Sequence, residues 1–365
     1  MAKRSRWLSS LVVLGLLVAA GGFAAHWLRG YPERPRDGQG TVIELTIASG
    51  SSFSAVTDLL ADREVIEHRA LFRAYAWQRG AARQVRSGTY ALRDDLSPRE
   101  VLDLLVRGVP EETVAITIPE GYHLLEIFEL LETRGIAERE ALKTLAFDPE
   151  FLESRGIDGH SAEGYLFPDT YQFRAPTPAE TVLDRLIDRH RAVWGELVEA
   201  HAASFARLQA KLEWSERDFI IMASIVEREA VSAHERPRIA QVFINRLTSP
   251  EFRPRLLQTD PTIRYGCMVP LDGLPAGCEG WTSRDRLRRR QLDDRDNPYN
   301  TYQHEGMPPG PIASPGRAAL EATLAPDGSD YFYFVSRNDG THVFSRTLTE
   351  HNRAVDRYQR RARAR

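Results

Sequence analysis

The chain opens on an unbroken apolar run. Residues 8–28, LSSLVVLGLLVAAGGFAAHWL, carry no formal charge and are long enough to cross a bilayer as a helix. The pattern then changes at Gly30–Gly40, GYPERPRDGQG, whose glycines, prolines and charges read as a flexible linker. From Thr41 the apolar residues recur in short blocks. TVIELTIASG predicts a strand, Phe53–Ala61 and Arg69–Gln78 predict helices, and Gly88–Leu92 predicts a returning strand. A further helix begins at Ser97, with proline at its first position and Glu100 at its third, three agreeing start signals. Gly108–Pro110 reads as a domain edge.

The next stretch repeats the first. Thr46, Ile47, Gly50, Phe53, Val56, Leu59, Leu60 and Arg63 align with Thr117, Ile118, Gly121, Leu124, Ile127, Leu130, Leu131 and Arg134 at a constant offset (121 − 50 = 71). Each copy reads as a strand, a glycine turn and an amphipathic helix packed back on the strand. The first copy with its second helix and returning strand resembles the LysM-like fold of small carbohydrate-binding modules in shape and order; a purely structural stalk is the competing reading.

Between Ala137 and Leu212 the pattern is mostly helical, interrupted by EGYLFPDTYQF at Glu163–Phe173. Tyr165, Phe167, Tyr171 and Phe173 beside Glu163 and Asp169 form a surface suited to sugar rings, which present apolar faces and hydroxyl edges. The same cluster also suits the packing of a buried loop. Toward the C-terminus, Tyr331–Ser336 and Thr341–Ser345 predict a hairpin around Asn338, Asp339 and Gly340, and Glu350–Tyr358 a closing helix.

The best-marked helix is Ser215–Ala230, SERDFIIMASIVEREA, with Ser215 and Asp218 in a capping pattern that starts it near Glu216. It ends in two glutamates. At about 100° per residue, Glu227 lies over Ile220, Ala223 and Ser224, and Glu229 over Met222 and Ile225. Small neighbours leave room for a ligand beside Glu227, and the apolar wall suits a general acid. Helical angles alone leave open whether either glutamate is chemical or both are solvated.

Composition narrows the field. A length of 365 residues supports two or three domains, and a net charge of −3 gives no reason to expect nucleic acid. Lys3, Lys143 and Lys211 are the only lysines and none sits in a motif, which disfavours Schiff-base chemistry. Neither metal-ligand spacing nor a phosphate-binding glycine loop occurs, so no cofactor is expected. Lys3, Arg4 and Arg6 precede the apolar run and place the N-terminus in the cytoplasm and the remainder outside. A cleaved signal peptide is the alternative, with the same placement of the globular part. In that oxidising space Cys267 and Cys278, which bracket a loop rich in Gly and Pro, are either a disulfide or two free thiols.

ASIVERE at Ala223–Glu229, VFINRL at Val242–Leu247, LQTDPTIRYG at Leu257–Gly266, NPYNTY at Asn297–Tyr302 and GMPPGPIASPG at Gly306–Gly316 follow one another in order. With IPEGY at Ile118–Tyr122, EGYLFPDTY, and the C-terminal YFYFVSRNDGTHVFSRTLTEHNRAV, they closely resemble the YceG-like family of endolytic murein transglycosylases. Met307 stands where that family usually has leucine, and the Cys267–Cys278 loop is a local elaboration. The resemblance implies an α+β protein: a cytoplasmic N-terminus 1–7, a transmembrane helix 8–28, a linker 29–40, a LysM-like βααβ module 41–110 and a mixed α+β catalytic domain 111–365 with its core at 215–365.

It also implies the chemistry. The first glutamate of ASIVE, Glu227, is the catalytic acid and base that cleaves the MurNAc–GlcNAc β-1,4 bond of nascent peptidoglycan and leaves 1,6-anhydro-MurNAc ends, terminating glycan elongation. Glu163, Tyr165, Gln258, Asp260, Asn300, Thr301 and Tyr302 are the candidate substrate residues; the polar ones among them, from Gln258 to Thr301, equally make turns and helix caps. Asn245 reads as a core-ordering residue. The implied setting is the bacterial inner membrane, single-pass, with the catalytic domain in the periplasm, glycan strands as substrate and peptidoglycan synthases (penicillin-binding proteins) as neighbours. Two other readings stay open: a hydrolytic muramidase in which Asp260 or Glu163 assists water, and an anchored, non-catalytic peptidoglycan-binding scaffold.

Overall fold

The computed structural model describes residues 29–109 and 113–360. The expected transmembrane helix 8–28 lies outside the described residues, and among those described no helix is long and apolar enough to cross a membrane. The chain divides into two units, 1–112 and 113–365.

In the first unit, β1 (Val42–Ile47) pairs antiparallel with β2 (Gly88–Arg93), Val42 opposite Arg93 and Ile47 opposite Gly88. Alternation along the ribbon turns Leu45, Ile47, Tyr90 and Leu92 inward. There they meet Val56 and Leu60 of α1 (Phe53–Asp62), Phe72 and Ala76 of α2 (Arg69–Gln78), and Val101, Leu102 and Leu105 of α3 (Pro98–Arg107). The start of α3 is the expected capping box: Glu100 N donates to Ser97 Oγ, and Ser97 N to the Glu100 carboxylate. The strand–helix–helix–strand order expected of this module is therefore present.

The second unit opens on the same grammar. β3 (Thr113–Thr117) and α4 (Leu124–Thr133) start 71 residues after β1 and α1 (113 − 42 and 124 − 53), and Gly50 and Gly121 both adopt positive φ, 79° and 76°. The likeness extends into the partner strand β4 (Thr170–Arg174). Thr46 bonds Thr89 across the first ribbon, and Thr117 bonds Thr170 across the second. Tyr90 and Tyr171 each donate to a carbonyl four residues upstream, those of Arg86 and Phe167. The two units therefore share a strand, a glycine turn, a helix and these side-chain bonds.

Between α4 and β4 stand α5 (Arg139–Ala146) and α6 (Pro149–Ser154); after β4 come α7 (Ala179–Ala200) and α8 (Ala202–Leu212). The aromatic island of residues 163–173 faces inward. Tyr165, Phe167, Tyr171 and Phe173 join the main core with Leu124, Phe128, Leu186 and Trp194, so packing rather than exposure governs that cluster.

The helix at the centre of the unit is α9 (Glu216–Glu229), with all of Phe219–Val226 buried. Its N-terminus is the predicted capping box, Asp218 N to Ser215 Oγ and Ser215 N to the Asp218 carboxylate. Against it pack α10 (Arg236–Thr248), α11 (Asp260–Met268) and α13 (Arg317–Leu324), with the short α12 (Arg289–Leu292) in the intervening loop. The expected C-terminal hairpin is β5 (Tyr333–Ser336) with β6 (His342–Ser345), followed by α14 (Leu348–Val355) and a π-helical turn to Arg360. Asn245 orders this region by donating to the carbonyls of Ser329 and Tyr331.

Candidate active site

Glu227 occupies the last turn of α9. Its side chain is 6% exposed, and both carboxylate oxygens accept hydrogen bonds: Oε1 from Arg236 Nη2 at 2.9 Å, Oε2 from the Gly316 backbone N at 3.1 Å. Arg236 begins α10 and Gly316 is the N-cap of α13, so three helix ends meet at this carboxyl. The Arg236 pair is a buried, charge-assisted contact, which holds the carboxyl in one orientation.

The IPEGY loop closes a further side. Gly121 N donates to Ser314 O and Ser314 N to Tyr122 O, a two-bond ladder between residues 118–122 and the proline-rich 307–316 run. Arg228 Nη1 caps Gly121 O at 2.8 Å. A Cβ on Gly121 would stand 3.7 Å from Glu227 Cγ, and one on Gly316 would meet Glu120 Oε1 at 2.0 Å. Glu120 thus reaches the same site. Its Oε2 is 3.8 Å from Arg236 Nη2, the nitrogen that holds Glu227. Desolvation, then the charge of Glu227, raises the Glu120 carboxyl above its ordinary value, with Arg236 opposing. Two buried polar atoms beside these groups, Arg236 Nε and Ser314 Oγ, have no protein partner among the described residues.

The space expected beside the small face of α9 is filled. Ala223 and Ser224 are fully buried, and Ser224 Oγ accepts from Ile312 N while donating to Ile221 O. Gly164 packs there too: a Cβ on it would lie 2.6 Å from Pro311 Cβ. The small residues admit the proline-rich run rather than a ligand.

The other expected residues divide into two groups. Gln258 and Asp260 are exposed at the start of α11, and half-buried Tyr302 donates to Asp260 Oδ1 at 2.9 Å. Beside them burial pushes the Glu229 carboxyl up, with Asp260 adding and Thr259, Arg246 and His342 opposing.

The second group is buried. Asn300 sends one amide to the carbonyls of Gln291, Leu292 and Asp294, and Thr301 pairs with Thr262 and accepts from Thr259 N. Both order the loop that carries Tyr302. Tyr165 is 7% exposed and edge-on to His190. Glu163 is 1% exposed, accepts from Leu124 N at 3.0 Å at the start of α4 and from Gly164 N, and burial pushes its carboxyl up to about 8. In this structure Glu163 serves as a helix-capping acid, and the polar atoms of Asn300 and Thr301 are spent on the fold.

Cys267 and Cys278 are joined as a disulfide beside Trp281 and Leu292. Among the described residues no group of His, Cys, Asp or Glu could hold a metal ion.

The YceG-like family model matches residues 45–357, most of both units. The chain belongs to the YceG-like family. Among YceG-like relatives, the endolytic murein transglycosylase of Bacillus subtilis is 31% identical over 334 residues, covering 87% of this chain and 85% of that protein. The endolytic murein transglycosylase of Streptococcus pneumoniae R6 is 26% identical over 95% of this chain, which spans 64% of the pneumococcal protein. A crystal structure titled as a putative yceG-like protein from Listeria monocytogenes superposes with a TM-score of 0.52 at 29% identity, covering 87% of this chain and all of that one.

Three site residues escaped the sequence reading. Glu120 lies inside IPEGY, a motif already singled out, so its carboxylate was a visible signal. Gly316 closes the GMPPGPIASPG motif, likewise singled out, whereas Arg236 carried no signal: it is defined by its contact with Glu227 across a loop.

Proposed function

We propose that this YceG-like chain is an endolytic lytic transglycosylase acting on peptidoglycan, with Glu227 as its acid and base. The observation that carries the reading is a carboxyl at the family's catalytic position, nearly buried, oriented by Arg236 and Gly316 N at the meeting of the IPEGY, ASIVE and GPIASPG segments.

The protonated Glu227 donates to the glycosidic oxygen between MurNAc and GlcNAc as the C1–O4 bond breaks and the anomeric centre gains oxocarbenium character. As carboxylate it then takes the proton from the muramyl C6 hydroxyl, whose oxygen bonds C1 and closes the 1,6-anhydro ring. No water is consumed. Exposed Gln258 and Asp260, the latter bonded to Tyr302, offer polar edges for the hydroxyl and acetamido groups of a glycan. The rival roles for Glu163 and Asp260 in activating water find less support, since one caps a core helix and the other is tied to Tyr302.

Around this chemistry stands the rest of the reading: a membrane anchor at 8–28, a LysM-like first unit that holds glycan, a periplasmic catalytic unit, and glycan-polymerising synthases as neighbours whose strands it cuts and terminates. Mass spectrometry of products from purified glycan strands tests the reaction. Transglycosylation yields ends one water lighter than hydrolysis; reducing ends in their place make the enzyme a muramidase.

A further inference from the structure

We propose that Glu120 is a positioning residue for the acid–base chemistry of Glu227: the two carboxyls share the Arg236 guanidinium, and which of them it pairs with decides which of them holds the proton. The proposal rests on the transglycosylase reading above.

One nitrogen, Arg236 Nη2, lies 2.9 Å from Glu227 and 3.8 Å from Glu120. The nearer contact is a full ion pair and the farther one is a small side-chain rotation from becoming one. The two acids differ in access. Glu227 is 6% exposed, whereas the Glu120 side chain is 51% exposed. Glu120 therefore exchanges protons with solvent while Glu227 faces the reacting bond.

Other charges around the pair are fixed. Arg228, on α9, is held on Gly121 O, and among the described residues Glu227 and Arg236 are the charges that act on Glu120. Two carboxyls and one guanidinium are electrically balanced when they hold one proton between them, and burial together with the Glu227 charge holds the Glu120 carboxyl above its ordinary value.

The sharing fits the two halves of the reaction. With Glu120 ionised and drawing Arg236 toward it, Glu227 Oε1 is free to carry the proton that the glycosidic oxygen receives as C1–O4 breaks. Afterwards Arg236 returns to the Glu227 carboxylate until that group takes the C6 hydroxyl proton and the C6 oxygen bonds C1. Every proton returns to its starting place, and no co-reactant is needed. Gly316 makes the arrangement sterically specific, since its N binds Glu227 while its missing Cβ leaves the space that Glu120 Oε1 fills.

The test is the pH–rate profile of anhydro-muropeptide release by the full chain. Glu120→Gln leaves Arg236 wholly on Glu227; the expected result is a basic limb moved to lower pH by about one unit, with kcat reduced at least about tenfold at neutral pH and KM within about twofold. Gly316→Ala, which displaces Glu120 and keeps the backbone donor, moves the limb in the same direction. If Glu120→Gln does not fold, Glu120→Asp carries the test, its profile expected between wild type and the Gly316→Ala variant. A profile scaled in height and unmoved in pH overturns the proposal while leaving the catalytic reading intact. Retention of anhydro release by Glu227→Gln overturns the reading itself, and the proposal with it.

Discussion

Glu163 gives the structure's clearest thermodynamic signature. Its carboxyl sits in the core against the N-terminus of α4, and burial outweighs the hydrogen bonds from Leu124 N, Tyr265 and Gly164 N, raising it from 4.5 to about 8. A carboxyl raised on folding binds its proton more tightly in the native state. Its contribution to stability is complete below about pH 4.5 and is lost as pH climbs from there through about 8. At about 1.4 kcal/mol per pH unit the whole span amounts to about 5 kcal/mol, of which about 4 kcal/mol falls between about pH 5 and about pH 8.5.

Glutamine is neutral like the protonated acid and never ionises; its NH2 only donates, so one of the bonds from Leu124 N and Gly164 N is lost at a cost that does not vary with pH. In Glu163→Gln the pH-dependent part should disappear. Urea denaturation of wild type and variant near both pH values checks this: the variant should gain about 4 kcal/mol on wild type between the lower and the higher pH. A difference between the two proteins that is the same at both pH values, within about 1 kcal/mol, would refute the assignment of Glu163 as a buried neutral acid.

Three further outcomes follow from the packing. Reduction of Cys267–Cys278 should cost up to about 3 kcal/mol on the chain-entropy account of so short a loop, and the unreduced protein should resist alkylation. Asn300→Ala removes the amide that holds three carbonyls, so a loss of about 2–3 kcal/mol and faster amide exchange over residues 291–303 are expected in hydrogen-exchange mass spectrometry. Gly164→Ala combines a φ of 85° with a Cβ 2.6 Å from Pro311, so thermal unfolding should show a loss of at least about 2 kcal/mol.

Much of the fold was legible because its signals are local. The boxes at Ser97 and Ser215 need only residues three apart, and the repeat announced itself through Gly50 and Gly121, where a strand must turn sharply into a helix. Sidedness was less legible. The Glu163–Phe173 island carries the composition of a sugar platform and of a buried loop alike, and only its place against α4 and α7 decides for burial. Asn300 and Thr301 have the right chemistry for a substrate, but it is spent on loop carbonyls and on Thr262.

The site shows the same division. Helical angles leaned toward Glu227 on the argument that Ala223 and Ser224 leave room, and the family motif decided; the structure gives that room to Ile312 and Pro311 and orients Glu227 by other means. Arg236 and Gly316 are partners through tertiary contact, and no periodicity could have named them. Glu120 was within a recognised motif and went unremarked because its neighbour in space is 107 residues away in sequence (227 − 120).

The central claim is that Glu227 alone both gives and takes the proton. It is tested most directly by mass spectrometry of muropeptides released from purified glycan strands by wild type and by Glu227→Gln, with folding of the variant verified by its unfolding transition. Anhydro-ended products from wild type and none from the variant are the predicted result; anhydro-ended products from both at comparable rates would contradict it.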